Sequence, residues 1–146
     1  PMHDIGKIGI PDHILLKPGK FDPDEWEIMQ THAQIGADIL ATEDSPLMRM
    51  AQEIAITHHE KFNGKGYPNK LVGEDIPIVG RITALADVFD ALTSVRPYKK
   101  AWPVDNAIEL IKSESGKHFD PDLVNIFLAN LDKITTIKEK YQETCE

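Results

Sequence analysis

The sequence predicts an all-α domain, a bundle of about five to seven helices. Apolar residues recur at steps of three and four over several stretches, which is the spacing of one helix face. Two helix starts are strongly marked, at Asp22-Pro23 and Asp120-Pro121, because aspartate caps a helix and proline suits its first position. No stretch alternates polar and apolar residues for long enough to indicate a strand.

The composition is that of one globular domain. The chain has 146 residues, of which 41% are hydrophobic and 27% are charged. A net charge of −8 argues against a protein that coats nucleic acid. It suits a metalloenzyme whose carboxylates face cations, or simply a soluble surface. The single cysteine, Cys145, allows no internal disulfide and favours a cytoplasmic location. No apolar run approaches the roughly 20 residues of a membrane helix.

The first element of the chain carries a histidine-aspartate pair, His3 and Asp4. The glycines and the proline that follow favour a turn over a continuing helix. Histidine and aspartate are ordinary ligands of first-row metals, and Lys7 could meet a phosphate. The alternative is a pair of polar surface residues. Residues 13–20 read as a connector.

A first long helix is predicted from the cap Asp22 to about Leu40. Glu25 stands where a capping box requires an acid. Helical spacing of apolar residues begins at Trp26. His32 lies near that apolar face, as a core histidine or as a ligand.

The next helix is predicted from about Leu47 to His59. Its apolar stripe includes His58, while His59 lies about 100° round the helix. The loop Gly64–Pro68 then breaks the chain without bulky aliphatic side chains. This arrangement could bring metal and substrate together; a buried histidine pair followed by a glycine turn is the alternative.

A long helix is predicted from Ile78. Its expected buried face consists of Ile78, Ile82, Leu85, Ala86, Phe89 and Leu92. Asp87 lies among apolar neighbours, where an acid must be paired, protonated or bound to a metal. A salt bridge to Arg81 is the structural interpretation.

The last third of the chain begins with a basic cluster at residues 96–100, which either stabilises a helix C-terminus or captures an anion. Helices are predicted from about Pro103 to Ser113 and from Pro121 to about Leu131. His118 lies in the turn between them and is not a predicted ligand. Residues 132–146 form a C-terminal helix or tail.

Three motifs together resemble the HD-GYP domain, a branch of the HD-domain metal-dependent phosphohydrolases. They are H-D-I-G-K at residues 3–7, H-H-E-K-F-N-G-K-G-Y-P at residues 58–68 and the motif at residues 81–99, with F-D-P at residues 119–121 as a closing motif. The resemblance covers about residues 3–128. It implies a helical bundle around two or three divalent metal ions, usually iron or manganese. It also implies hydrolysis of the bacterial second messenger cyclic di-GMP to linear pGpG or to GMP.

The resemblance assigns roles to individual residues. Asp4 would bridge two metal ions and, with Lys7 on the scissile phosphate, form the catalytic pair. The substrate's other phosphate or a guanine would be held by Arg96 and Lys99, and Gly66 and Tyr67 would also bind substrate. The implied metal ligands are His3, Asp4, His32, His58, His59 and Asp87.

The resemblance also implies a domain plan and partners. Residues 1–131 form the HD-GYP domain, and Gly64–Pro68 would contact GGDEF-type signalling domains. Family members carry further ligands before the His-Asp motif. We therefore expect the domain's N-terminal helices and an upstream sensory or receiver domain to be missing. This chain alone would then bind metal incompletely and be nearly inactive, and its exposed flank would allow a dimer.

Two other functions stay open, a non-catalytic module that binds cyclic di-GMP or a signalling partner, and a phosphohydrolase of another nucleotide. The complete ligand set favours an enzyme over a binding module. Arg96 and Lys99 favour cyclic di-GMP over a mononucleotide.

Overall fold

Helices account for the architecture of the chain in a computed structural model that describes residues 2–42, 44–95 and 100–142. Within these ranges there are eight α-helices, two 3₁₀ helices and no strand, which confirms the all-α prediction. The 3₁₀ helices are Met2–Gly9 and Gly73–Asp75. The α-helices are α1 Asp12–Leu15, α2 Pro23–Gln30, α3 His32–Leu40, α4 Pro46–Thr57, α5 Ile78–Thr93, α6 Val104–Ser113, α7 Pro121–Ala129 and α8 Leu131–Gln142. No helix among the described residues is long and apolar enough to cross a bilayer.

The two helix starts predicted at Asp22 and Asp120 are confirmed by their N-caps. Asp22 accepts a hydrogen bond from the backbone N–H of Glu25 at 2.8 Å, and the Glu25 carboxylate accepts from the backbone N–H of Asp22 at 2.8 Å. Asp120 likewise caps α7 by accepting from the N–H of Asp122 at 2.9 Å. These signals are local in sequence, so they can be read without the fold.

The helix predicted from residue 22 to 40 is wrong in one respect, because it divides into α2 and α3 at Thr31. The Thr31 hydroxyl donates to the carbonyl of Ile28 at 2.6 Å, and His32 Nδ1 lies 2.6 Å from the carbonyl of Met29. Side chains that bond the preceding turn in this way compete with helical backbone bonds and bend a helix. The break fixes the direction of the His32 ring.

The main core lies between α5, α6 and α7. Its buried members are Leu85, Phe89, Leu92, Ala107, Ile111, Phe119, Val124 and Phe127. The predicted buried face of α5 is partly wrong, since Ile78 and Ile82 are about half exposed and Ala86 is exposed. Helix α5 packs against α4, α6 and α7, and the stripe that includes Leu85 and Phe89 is the one that meets α6 and α7.

The first 3₁₀ helix packs against α3 at unusually short range. A Cβ atom on Gly6 would lie 1.9 Å from the carbonyl oxygen of His32 and 2.4 Å from the backbone nitrogen of Gly36. Only glycine allows two backbones to approach this closely. The contact brings His3 and Asp4 up to His32.

His118 lies outside the histidine cluster described below, and its titration gives a prediction about acid stability. Burial, helped by the charge of Lys61, lowers the pKa of His118 to about 4, against an ordinary value of about 6.5. Between these values the unfolded chain binds a proton that the folded chain does not. The contribution of His118 to the free energy of unfolding is therefore fully present above about pH 6.5 and should be lost as the pH falls towards 4.

We expect His118→Gln to lose less stability than the wild type between pH 7 and pH 5, measured by urea unfolding with chelator present. His13→Gln, at an exposed position, is the matched control and should behave like the wild type. An equal loss in His118→Gln and the wild type would contradict the prediction.

Candidate metal centre

Four side chains from three elements converge at one point. Asp4 comes from the first 3₁₀ helix, His32 begins α3, and His58 and His59 follow the last residue of α4. One ligand atom from each lies within 4.8 Å of the others. Asp4 Oδ1 is 3.5 Å from His32 Nε2 and 3.6 Å from His58 Nε2. His32 Nε2 and His59 Nε2 lie 3.1 Å apart.

Backbone carbonyls fix the orientation of two of these imidazoles. His32 Nδ1 donates to the carbonyl of Met29 at 2.6 Å, and His58 Nδ1 donates to the carbonyls of Ile54 and Ala55 at 3.1 and 3.0 Å. A carbonyl can only accept, so Nδ1 of each ring carries a proton and Nε2 is the ring nitrogen that faces the cluster. Carbonyls that orient histidines in this way are typical of metal sites.

His58 supplies the clearest sign that the cluster fits a cation. Its side chain is buried, and Nε2 is the buried side-chain atom without a hydrogen-bond partner among the described residues. An unpaired buried polar atom costs free energy. A divalent cation between His58, His32 and Asp4 would satisfy it, and imidazole and carboxylate suit first-row metals.

The protonation states also fit metal binding. Burial, together with the neighbouring His58 and His32, lowers the pKa of His59 to about 3, and burial lowers the pKa of His32 as well. Burial alone would raise the pKa of Asp4, but the approach of His58 and the hydrogen bond and charge of Lys7 outweigh it and hold that pKa well below its usual range. At neutral pH His32 and His59 are therefore neutral and Asp4 is ionised, which are the forms that bind metal.

His3 and Asp87 extend the cluster on one side. His3 Nε2 lies 3.6 Å from Asp4 Oδ2 and 3.6 Å from Asp87 Oδ1. The nearby His3 ring is the main reason that the pKa of Asp87 is lowered despite burial. The structure thus brings all six predicted ligands together, and their role as ligands stays a prediction.

Arg81 is not the partner of Asp87, so the salt-bridge interpretation of Asp87 is wrong. Arg81 Nη1 bonds Asp120 Oδ2 at 2.6 Å, and its Nε donates to the carbonyl of Ile76 at 2.9 Å. This largely buried ion pair ties α5 to the start of α7. Asp87 is left facing His3.

Lys7 lies at the edge of the cluster with its ammonium 2.6 Å from Asp4 Oδ2. Its side chain is 40% exposed, so the charge is accessible from solvent. The other two predicted substrate-binding cations, Arg96 and Lys99, lie outside the described residues.

The glycine-rich loop folds back over the histidines. The backbone N–H of Tyr67 donates to the carbonyl of His59 at 3.2 Å, and the Tyr67 ring stacks on the His59 ring at 4.8 Å between centroids. A Cβ atom on Gly66 would lie 2.3 Å from Lys61 N and 2.5 Å from His59 O, so a side chain there would push the loop away. Burial and the charges of Asp4 and Asp87 raise the pKa of Tyr67, which keeps its phenol protonated.

Sequence reasoning missed two residues near this loop. Glu60 is 2% exposed, and its carboxylate accepts from the backbone N–H groups of Asn69 and Leu71. The signal available in the sequence was an acid at a position expected to be buried, because Glu60 directly follows the histidine pair. Asp87 was singled out for the same reason. Trp26, expected in the core, is 43% exposed and its ring lies 5.8 Å from that of Tyr67.

An all-helical domain with a central histidine-aspartate cluster is the architecture expected of HD-type domains. The chain belongs to the HD domain family, whose model matches residues 1–123. This confirms the HD part of the predicted resemblance.

Two curated relatives are similar over almost the whole chain. A 3'3'-cGAMP-specific phosphodiesterase 2 of Vibrio cholerae is 52% identical over 94% of this chain, and a cyclic di-GMP phosphodiesterase of Thermotoga maritima is 50% identical over 99%. The chain spans only 26% and 40% of the lengths of these relatives.

One solved structure supports the fold. The crystal structure of a cyclic GMP-AMP specific phosphodiesterase of V. cholerae, V-cGAP3, aligns with a TM-score of 0.62 at 22% identity. The match covers 90% of this chain and 36% of the other.

Proposed function

We propose that this chain is the catalytic domain of a metal-dependent phosphodiesterase that hydrolyses cyclic di-GMP to linear pGpG or to GMP. The observation that carries the proposal is the convergence of Asp4, His32, His58 and His59 on one point, with the buried His58 Nε2 lacking a partner among the described residues. The names of the relatives from V. cholerae and T. maritima support a cyclic dinucleotide as substrate.

The proposed cofactors are two or three divalent ions, Fe or Mn. Bound ions of this kind neutralise a phosphodiester and lower the pKa of the attacking water. The residues that would hold them are His3, Asp4, His32, His58, His59 and Asp87. Asp4 lies between His3, His32 and His58, which supports its predicted role as a bridge between two ions.

Lys7 is the proposed catalytic cation. Its ammonium is held at the cluster by Asp4 while remaining partly exposed. A positive charge at that position would stabilise the charge that develops on the phosphate oxygens during attack. Tyr67 and Gly66 cover the cluster at His59 and would contact the bound nucleotide.

A second candidate substrate is 3'3'-cGAMP, which the name of the relative at 52% identity favours. The test is chromatography of the products after a version of the protein extended upstream of residue 1 is incubated with each cyclic dinucleotide, with Mn²⁺ or anaerobic Fe²⁺. We expect faster consumption of cyclic di-GMP. Faster consumption of 3'3'-cGAMP would change the substrate, and turnover of neither by metal-loaded protein would contradict the proposal and favour the binding module or another nucleotide.

The proposed substrate clamp gives a prediction at Arg96. We expect Arg96→Ala to raise KM about 10- to 100-fold, because a charge-assisted contact contributes about 1.5–3 kcal/mol. Metal content should change less than KM, since the proposed role of Arg96 is to bind substrate. The neighbouring exposed Lys100 provides the control Lys100→Ala, for which we expect the wild-type KM. An unchanged KM in Arg96→Ala would return this residue to a helix-end role.

The proposal includes a partner and a location. Pro68 is exposed while Gly66 is buried, so the outer side of the loop is free to meet a GGDEF-type signalling domain. A cytoplasmic location is supported by the single cysteine, which leaves no internal disulfide in this chain.

A further inference from the structure

Glu60 is a buried carboxylate that the metal cluster does not use. It follows His59 directly in sequence, and the described ligand cluster consists of Asp4, His32, His58 and His59 without it. Burial of an acid is costly unless its oxygens are bonded, and both oxygens of Glu60 are. Oε1 accepts from the N–H of Asn69 at 2.7 Å and Oε2 accepts from the N–H of Leu71 at 3.0 Å.

These two bonds hold the chain just after the glycine-rich loop Gly64–Pro68, which covers the histidines. The loop itself is held where the N–H of Tyr67 donates to the carbonyl of His59. Gly66 packs so tightly on the backbone of residues 59–61 that no side chain fits. The loop is therefore tied to the end of α4 at two consecutive residues, by the carbonyl of His59 and by the carboxylate of Glu60.

We propose that Glu60 is a positioning residue that sets the ring of Tyr67 on the ring of His59. Asn69 and Leu71 follow Tyr67 by two and four residues, so anchoring them restrains the direction in which the Tyr67 ring points. Bonds to a charged acceptor are the stronger kind and fix geometry. The effect on substrate rests on the proposed phosphodiesterase function, whereas the placement of Tyr67 does not.

The first test measures ring placement without any activity. Tyr67 stacked at 4.8 Å should shift the His59 imidazole protons through its ring current, observable by NMR in chelator-treated protein. Glu60→Gln keeps the shape of the side chain but puts an NH₂ donor against a backbone N–H. We expect its His59 signals to move towards those of Tyr67→Ala. His59 signals that stay at their wild-type positions would overturn the proposal.

A second pair of variants covers the case in which Glu60→Gln fails to fold. Asn69→Pro removes the donor to Oε1 at an exposed position, while Asn69→Ala keeps it. We expect Asn69→Pro to reproduce the loss of the His59 shift and Asn69→Ala to leave it intact. The same response in both variants would overturn the proposal.

The kinetic test, made in the version extended upstream of residue 1, asks whether Glu60 acts through Tyr67. We expect Glu60→Gln to raise KM for cyclic di-GMP about 10-fold, with kcat and metal content changed less than about 3-fold. In a Tyr67→Ala background the same substitution should raise KM little further, because the effects of substituting residues that act as one unit are not additive. If Glu60→Gln raises KM in that background as much as it does in the wild type, the proposal is overturned. If the wild type turns over no cyclic dinucleotide, the proposed function fails, and the NMR comparison still decides the role of Glu60.

Discussion

In a version of the protein extended upstream of residue 1, Asp4→Asn should leave the chain folded and abolish turnover. Asparagine keeps the shape of aspartate and loses its charge, at the point where His3, His32 and His58 all lie within 3.6 Å of the carboxylate. Losing groups that merely orient a ligand commonly costs 10- to 100-fold in metal affinity or activity, so losing a bridging ligand should cost more than about 100-fold in activity. Metal analysis after purification and a phosphodiesterase assay measure the two effects.

The matched control for this prediction is Asp105→Asn, an exposed acid in the first turn of α6. It changes the net charge equally and should retain both metal and activity. Asp4 itself pairs with Lys7, so the variant also frees that ammonium. Full activity in Asp4→Asn would show that Asp4 is a polar surface residue and that the His-Asp motif has no catalytic role.

The features that sequence predicts well are those set by neighbouring residues. The capping box at Asp22 and Glu25 is complete within four residues, and the structure contains it. The histidine pair was recognisable because His58 falls on the apolar stripe of its own helix, and it is buried. Such signals need no knowledge of which helix packs on which.

The features that sequence reasoning missed depend on distant partners. Ile82 satisfies the apolar spacing of α5 yet is half exposed, because the neighbours of α5 decide which stripe is covered. Arg81 bonds Asp120, which lies 39 residues away, instead of the nearer Asp87. Glu60 becomes informative only when the loop is seen to return to it. The motif indicates which residues are present, and the packing shows which groups they contact.

Gly6→Ala should disrupt the metal centre without changing a ligand. The new methyl group would lie 1.9 Å from the carbonyl oxygen of His32 and 2.4 Å from the backbone nitrogen of Gly36, so the 3₁₀ helix must move away from α3. Overpacking typically costs about 1–3 kcal/mol, and because both obstacles here are backbone atoms we expect about 3 kcal/mol or more. His3 and Asp4 belong to the same 3₁₀ helix, so they would be drawn away from His32 and metal would be lost.

Gly9→Ala is the matched control, one 3₁₀ turn further along. The atoms nearest its methyl group would belong to the side chain of Ile35, at 3.0 Å, and a side chain can yield where a backbone cannot. We expect a cost of about 1 kcal/mol or less and normal metal content. Urea unfolding with chelator present separates stability from metal binding, which is measured in parallel. A Gly6→Ala protein that is destabilised but keeps full metal affinity would show that the close approach supports the fold alone. One that keeps both stability and metal would show that the 3₁₀ helix and α3 can separate without consequence for either.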